Sequence, residues 1–166
     1  MRTILITLLC SFALVAADAP RRAPGFCLPD LKGQFHDLAD YRGKVLILEF
    51  LKTDCPHCAE FAETLAQVGP KYGDKVAILA VAHTGTDSAQ NIIKYIEGHK
   101  LTYPVAVDMG QMMYSYVRSP QGANLPRLYI IDPAGFIRAD SEYSLLSHDL
   151  FETKGLFAEI DRLLKK

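Results

Sequence analysis

The chain has no tryptophan, only four cysteines and no surplus of charge of either sign. Each shortage excludes something. Four cysteines among 166 residues are too few for a small domain held together by disulfides. Eighteen Lys and Arg against 19 Asp and Glu provide no basic surface for nucleic acid. No low-complexity tract marks extended disorder. No uncharged run reaches the ~20 residues that a membrane-spanning helix needs. What is there is a chain 49% apolar, long enough for one domain with a substantial core.

The first residues stand apart. After Met1-Arg2, an uncharged run of about 15 residues from Thr3 to Ala17 is rich in Ile, Leu, Val, Phe and Ala, and ends in Val15-Ala16-Ala17. One positive charge, a short apolar stretch and small residues at its end predict a secretory signal peptide over 1–17, cleaved after Ala17. Cleavage after Ala19 would leave Pro20 at the new terminus. Cys10 lies inside the run and would leave with it. The remaining 18–166 is expected to be a single exported domain with no integral membrane segment, in a periplasmic or extracytoplasmic setting where disulfides persist.

Along that domain, residues 18–33 hold Pro20, Pro24, Gly25, Pro29 and Gly33 and predict an irregular leading segment, tacked to the core by Phe26, Leu28 and Leu31. Residues 44–51 (KVLILEFL) are apolar at both alternating positions, the pattern of a strand covered on both faces. A helix is expected over 56–68, closed by Gly69-Pro70, then a buried strand over 75–82. Asp87 is the expected cap of a helix ending at Gly98. A strand over 103–107 and a helix over 111–117 follow. Asp132-Pro133-Ala134-Gly135 predicts a hairpin turn between strands at 127–132 and 136–139. A closing amphipathic helix spans about 152–164. Alternating strands and helices followed by a hairpin and a helix predict an α/β sheet of mixed strand direction.

The chemistry-bearing motif is Cys55-Pro56-His57-Cys58, between the buried strand and the first helix. Cys55 takes the N-cap position, where free N–H groups and the helix dipole favour thiolate. Pro56 suits the first helical position, having no N–H to leave unpaired and a φ already set for helix. A protonated His57 adds positive charge beside the thiol. Cys58 lies one turn on, within reach of a disulfide with Cys55. A low-pKa thiolate beside a resolving thiol is what thiol–disulfide exchange requires. A zinc site would need a second ligand pair, but Cys27 is alone and His36, His57, His83, His99 and His148 are scattered. A purely structural disulfide across two residues would close too small a loop to stabilise much.

Glu49 shares a strand face with Val45, Ile47 and Leu51. A carboxyl in that setting is raised in pKa if unpaired, and then suits proton exchange with Cys58. The alternative is a pair with a lysine such as Lys52 or Lys75.

Over residues 23–165 the chain resembles thioredoxin-fold proteins of the exported TlpA-like, or redoxin, type. The resemblance rests on an ordered series: APGFCLPDLKGQ, DYRGKVLILEF, the CPHC pair, YPVAVD, LPRLYIIDPAGFI and the closing helix. It implies a thioredoxin-like fold, a central mixed sheet flanked by helices, with a βα insertion around 80–107 before a cis-proline. Pro126 matches that cis-proline, which faces the disulfide while Leu125 presents its backbone to a bound substrate strand. Pro56 would lie beside the same strand. Glu49 matches the buried acid of thioredoxin, where the family uses Asp, and CPHC looks like the pair of DsbA-type oxidants.

The chain also departs from that pattern. Asp54 stands where Trp usually precedes the first cysteine, and would oppose thiolate formation if it pointed inward. Arg127 replaces the usual Thr after the cis-proline; it either contacts substrate or points into solvent. Cys27 is extra, a core or loop thiol or else a third redox group.

The resemblance implies a thiol–disulfide oxidoreductase acting on protein thiols and disulfides. It needs no cofactor and no metal, and is fed by a membrane electron-transfer partner. CPHC favours an oxidant; Glu49 and the family resemblance favour a reductant, the direction preferred here. Two alternatives remain open. A peroxiredoxin-like peroxidase carries Pro-x-x-x-Thr-x-x-Cys, but here the Pro place holds Leu48 and the Thr place Lys52, with Thr53 one residue off. A Sco-like copper chaperone has three residues between its cysteines and a later His; here two intervene, and His148 is the candidate ligand.

Overall fold

Residues 45–51 are buried without exception, and the rest of the fold is arranged to cover both faces of this strand. The computed structural model describes residues 21–83, 85–118 and 124–165, so the expected leader at 1–17, its cleavage site and Cys10 lie outside the described residues. Among the described residues the chain runs β1 (Cys27–Pro29), β2 (Phe35–Asp37), β3 (Val45–Leu51), α1 (Pro56–Leu65), α2 (Val68–Tyr72), β4 (Val76–His83), α3 (Ala89–Gly98), β5 (Val105–Asp108), β6 (Arg127–Ile131), β7 (Ile137–Glu142) and α4 (Thr153–Leu164). No helix among them is long and apolar enough to cross a membrane.

The main sheet has the order β5-β4-β3-β6-β7. β3, β4 and β5 are parallel, while β6 and β7 are antiparallel additions on the other side. This is the mixed α/β sheet expected, and the segment anticipated as an insertion builds α3 and β5. Alternation along β3 sends Val45, Ile47 and Leu51 into a core with Phe61, Leu65, Ile92, Leu156 and Ile160 from the helices. Leu46, Leu48 and Phe50 face the opposite core, with Phe26, Leu28, Met112, Tyr116 and Tyr129. Burying each such large side chain contributes about 1.5–3 kcal/mol before conformational entropy is counted. The second core is closed by the leading segment and a π-type turn at Met113–Val117. Tyr116 Oη donates to the Pro24 carbonyl at 2.6 Å and holds that segment in place.

The structure corrects several expectations. The leading segment is not irregular throughout, since β1 and β2 pair antiparallel around Gly33, whose φ of 78° suits glycine. Leu31 is 37% exposed, so Phe26 and Leu28 do the anchoring. Cys27 is exposed on β1 and is not a core thiol. The helix expected over 56–68 ends at Leu65, and Gly69-Pro70 lie in the first turn of α2. Proline is tolerated there because the first N–H groups of a helix have no acceptor within it. The cap of α3 is Ser88, whose hydroxyl accepts the Asn91 N–H at 3.2 Å; Asp87 is engaged elsewhere. Residues 103–104 precede β5 instead of opening it, and 113–117 wind as a π-type turn.

Candidate active site

The central strand β3 points its C-terminal end at the start of α1, and the cysteine pair sits in that junction. Cys55 is the N-cap residue, with extended backbone (φ −91°, ψ 115°), and Pro56 occupies the first helical turn. The Cys58 N–H donates to Cys55 Sγ at 3.2 Å. The sulfur therefore stands where helix N–H groups stabilise negative charge. Cys55 is partly exposed and Cys58 fully buried; both are unpaired thiols in this structure. From the other side, the Cys55 thiol donates to the Leu125 carbonyl oxygen at 3.6 Å. The Leu125–Pro126 peptide bond is cis. Cys55, Cys58, Leu125 and Pro126 thus meet at one point, although the two pairs are far apart in the chain.

Behind them lies Glu49. It is 0% exposed, and neither carboxylate oxygen has a hydrogen-bond partner. Burial pushes its pKa up from 4.5 to about 8. The lysine pairing left open in the sequence is not formed with Lys52, whose Nζ lies 3.0 Å from Asp54 Oδ2. That contact also answers the question raised by Asp54: its side chain is 71% exposed and turned outward. The Cys58 thiol is pushed strongly up by burial first, then by its hydrogen bond with Cys55, then by the charge on Glu49. Cys58 and Glu49 are therefore electrostatic neighbours, the charge on Glu49 favouring the neutral form of the thiol.

The remaining candidates divide. Pro56 is exposed at the helix start beside Cys55. His57 leans outward, its ring stacked on Tyr143 with centroids 4.1 Å apart and planes 18° from parallel. Its Nδ1 lies 3.0 Å from Glu60 Oε2, so any positive charge on the ring faces that carboxylate as well as the helix start. The Tyr143 N–H donates to the Pro126 carbonyl at 3.1 Å, tying the platform under His57 to the cis-proline loop. Arg127 neither points freely into solvent nor sits open to a substrate. Its guanidinium lies 2.6 Å from Asp140 and 3.3 Å from Glu142, with Nε donating to Tyr129 Oη at 2.8 Å.

Two contributors were not visible in the sequence. Asp87, 3% exposed, accepts the Thr53 N–H at 3.0 Å and the Thr53 hydroxyl, bracing the loop before Cys55. Tyr143 positions His57. Neither carries a local sequence signal, because each acts on a segment distant in the chain. Among the described residues, no group of three His, Cys, Asp or Glu side chains is placed to hold a metal ion. His148 has its Nδ1 3.0 Å from the Leu145 carbonyl and, with His57, lines a cavity of about 230 Å³ beside α1.

With this geometry in place, the chain can be compared with known proteins. It is 36% identical over 118 residues to the thiol-disulfide oxidoreductase ResA of Geobacillus thermodenitrificans, covering 70% of this chain. The chain spans 64% of that relative's length, just under two thirds. Its fold is similar to the thioredoxin domain of a thiol-disulfide oxidoreductase from Bacteroides vulgatus, with a TM-score of 0.70 and 20% identity over 87% of this chain and 96% of that one. It is also similar to the exposed lipoprotein thioredoxin Etrx1 of Streptococcus pneumoniae, with a TM-score of 0.68 and 21% identity over 84% of this chain and all of that one (100%). The two structural likenesses show a thioredoxin-like fold. Residues 20–140 match the AhpC/TSA family, and the chain belongs to it.

Proposed function

We propose that this chain is an exported thiol–disulfide oxidoreductase that reduces disulfides in protein substrates. The observation that carries the reading is one arrangement. A partly exposed Cys55 sulfur at a helix N-terminus lies against the Leu125 carbonyl, with Cys58 buried behind it and the unpartnered Glu49 in electrostatic contact with Cys58. In the reducing direction, the Cys55 thiolate attacks one sulfur of the substrate disulfide, forming a mixed disulfide and releasing a substrate thiolate. Ionised Glu49 takes the proton from Cys58. The Cys58 thiolate then attacks Cys55 Sγ, closes the Cys55–Cys58 disulfide and expels the second substrate thiolate. Two electrons pass from the dithiol to the substrate. A dithiol donor, which we assign to a membrane electron-transfer partner, restores the pair.

In this scheme Pro56 and Leu125 frame the surface on which a substrate strand lies, and His57 adds positive charge near the nucleophile. Pro126 holds the Leu125 carbonyl toward Cys55. Arg127 is assigned a structural place, because its ion pairs leave its guanidinium little freedom. The apolar run at 3–17 supports export, with the working domain at 18–166. The peroxidase alternative is not favoured by the loop, where Lys52 holds the place of the peroxidatic Thr and the Thr53 hydroxyl is committed to Asp87.

A redox titration of the Cys55–Cys58 pair tests direction: a potential near about −270 mV supports the reductant, and one near about −120 mV overturns it in favour of an oxidant. Turnover of a protein disulfide that is lost in Cys55→Ser supports the activity. Turnover of hydrogen peroxide with a dithiol donor, at a rate exceeding that with protein disulfide, would replace this reading with a peroxidase. Fractionation followed by N-terminal sequencing tests export and cleavage after Ala17.

A further inference from the structure

Glu49 stands in a row of the sheet whose next member is an alanine. Its strand partner in β4 is Ala80, and the β5 partner of Ala80 is Val105. Neighbouring strands are about 4.8 Å apart, so the row runs roughly 10 Å sideways from Glu49. On this face the β4 residues level with and beyond Glu49 are Ala80 and Ala82, with Ile78 and Val76 further back along the strand. Two tyrosines belong to the same core: Tyr95 from α3, and Tyr103 just ahead of β5, where the Ala80 N–H donates to the Pro104 carbonyl at 3.1 Å. Both hydroxyls are buried and, like the two Glu49 oxygens, have no hydrogen-bond partner in the protein. Buried polar groups are nearly always bonded, and a site with several of them is where an internal water is held.

The other elements lining this core offer nothing in exchange. β6 presents Leu128, α4 presents Leu156, Ile160 and Leu163, and α1 presents Cys58, with Cys55 beyond it. No cation among the described residues pairs with the carboxylate. Burial first, and the charge on Glu49 second, hold both phenols in the protonated form, so both remain donors.

We propose that Tyr95 and Tyr103 are positioning residues which, through water held between their hydroxyls and the carboxyl, donate hydrogen bonds to ionised Glu49 and set the pH at which it exchanges a proton with Cys58. This rests on the acid–base role given to Glu49 above. Two unpartnered phenols in the core that the carboxylate enters give it polar partners where a fully apolar core would give none.

The test follows the infrared carboxyl band of protonated Glu49, assigned by its loss in Glu49→Gln, across pH in the reduced full chain. Tyr95→Phe and Tyr103→Phe keep both rings, and each is expected to move the Glu49 midpoint up by about one pH unit, the double variant further. The pH profile of turnover is expected to move with it. Tyr72→Phe, whose hydroxyl donates to the Phe157 carbonyl, is expected to leave the midpoint in place. A midpoint unmoved in the double variant, or moved equally by Tyr72→Phe, overturns the assignment. If a phenylalanine variant fails to fold, wild-type protein decides: magnetisation transfer from a long-lived internal water to the Ala80 methyl and the two tyrosine rings supports the proposal, and its absence overturns it. Should Glu49→Gln leave turnover and its pH profile unchanged, the acid–base reading fails and takes this one with it. An intact Glu49→Gln effect with unmoved tyrosine variants refutes the tyrosines alone.

Discussion

Cys55 Sγ lies 3.6 Å from the carbonyl oxygen of Leu125, a contact across 70 positions of chain. It places the more exposed of the two active-site sulfurs against the loop before β6, while Cys58 remains sealed on the buried face of α1. Reactivity toward a small alkylating agent should divide along that line. Iodoacetamide on the native reduced protein is expected to label Cys27 and Cys55, and Cys58 at least about tenfold more slowly, since a buried thiol is both shielded and held neutral. Peptide mass spectrometry over time measures it, and Cys58 labelling at the rate of Cys55 would contradict the buried resolving thiol.

Glu49 makes stability depend on pH with a definite sign. Its pKa is raised from 4.5 to about 8 in the folded chain. Between those values the folded protein keeps a proton that the unfolded chain releases. Stability is therefore greatest below pH 4.5, falls as pH rises toward 8, and has lost this contribution above it. The slope approaches about 1.4 kcal/mol per pH unit within the window. Urea unfolding of Glu49→Gln against the parent at pH 5 to 8 is expected to show the variant gaining on the parent by about that slope. Parallel curves would mean that Glu49 titrates in the folded chain as it does in the unfolded one.

Arg127 offers a choice between two roles. Arg127→Ala removes the partner of Asp140 at 2.6 Å and of Glu142 at 3.3 Å in a half-buried setting, leaving Arg21 alone on Asp140. A loss of about 1–3 kcal/mol in unfolding free energy is expected, with kcat on a protein disulfide unchanged. A raised KM at unchanged stability would instead return Arg127 to the substrate surface.

Gly155 reverses the usual rule for helical glycines. Replacing a helix-interior glycine with alanine normally stabilises by about 1 kcal/mol. Here an added Cβ would stand 1.9 Å from the Asp149 carbonyl oxygen and 2.6 Å from its carbon, backbone atoms that cannot swing aside. The turn at His148–Phe151 packs directly on the start of α4. Gly155→Ala is expected to destabilise by about 1–3 kcal/mol, read as a lowered Tm, because the clash outweighs the propensity gain. An unchanged or raised Tm would show that the two segments separate easily.

Sequence and structure contributed different things, and particular residues show the division. The two-sided burial of β3, proline at the first turn of α1, cysteine at its cap and the Asp132–Gly135 turn were all legible, because each is settled within a few residues by sterics, capping or alternation. Gly135, at φ 87°, closes that turn as its composition requires. The break between α1 and α2, the cap of α3 and the pairing of β1 with β2 were not legible. Asp87 illustrates why: by local preference it caps a helix, yet the fold hands that task to Ser88 and uses Asp87 to hold Thr53.

The sequence by itself determined that two cysteines stand one helical turn apart at a helix start, and that a carboxyl lies in an apolar strand behind them. Only the tertiary structure decided that Glu49 has no partner, that Asp54 turns out to Lys52, that His57 rests on Tyr143, and that Tyr95 and Tyr103 share the Glu49 core. The physical reason is range. Helix caps and strand alternation are decided by neighbours in the chain, whereas solvation and charge are decided by whatever the sheet register and helix packing bring from elsewhere.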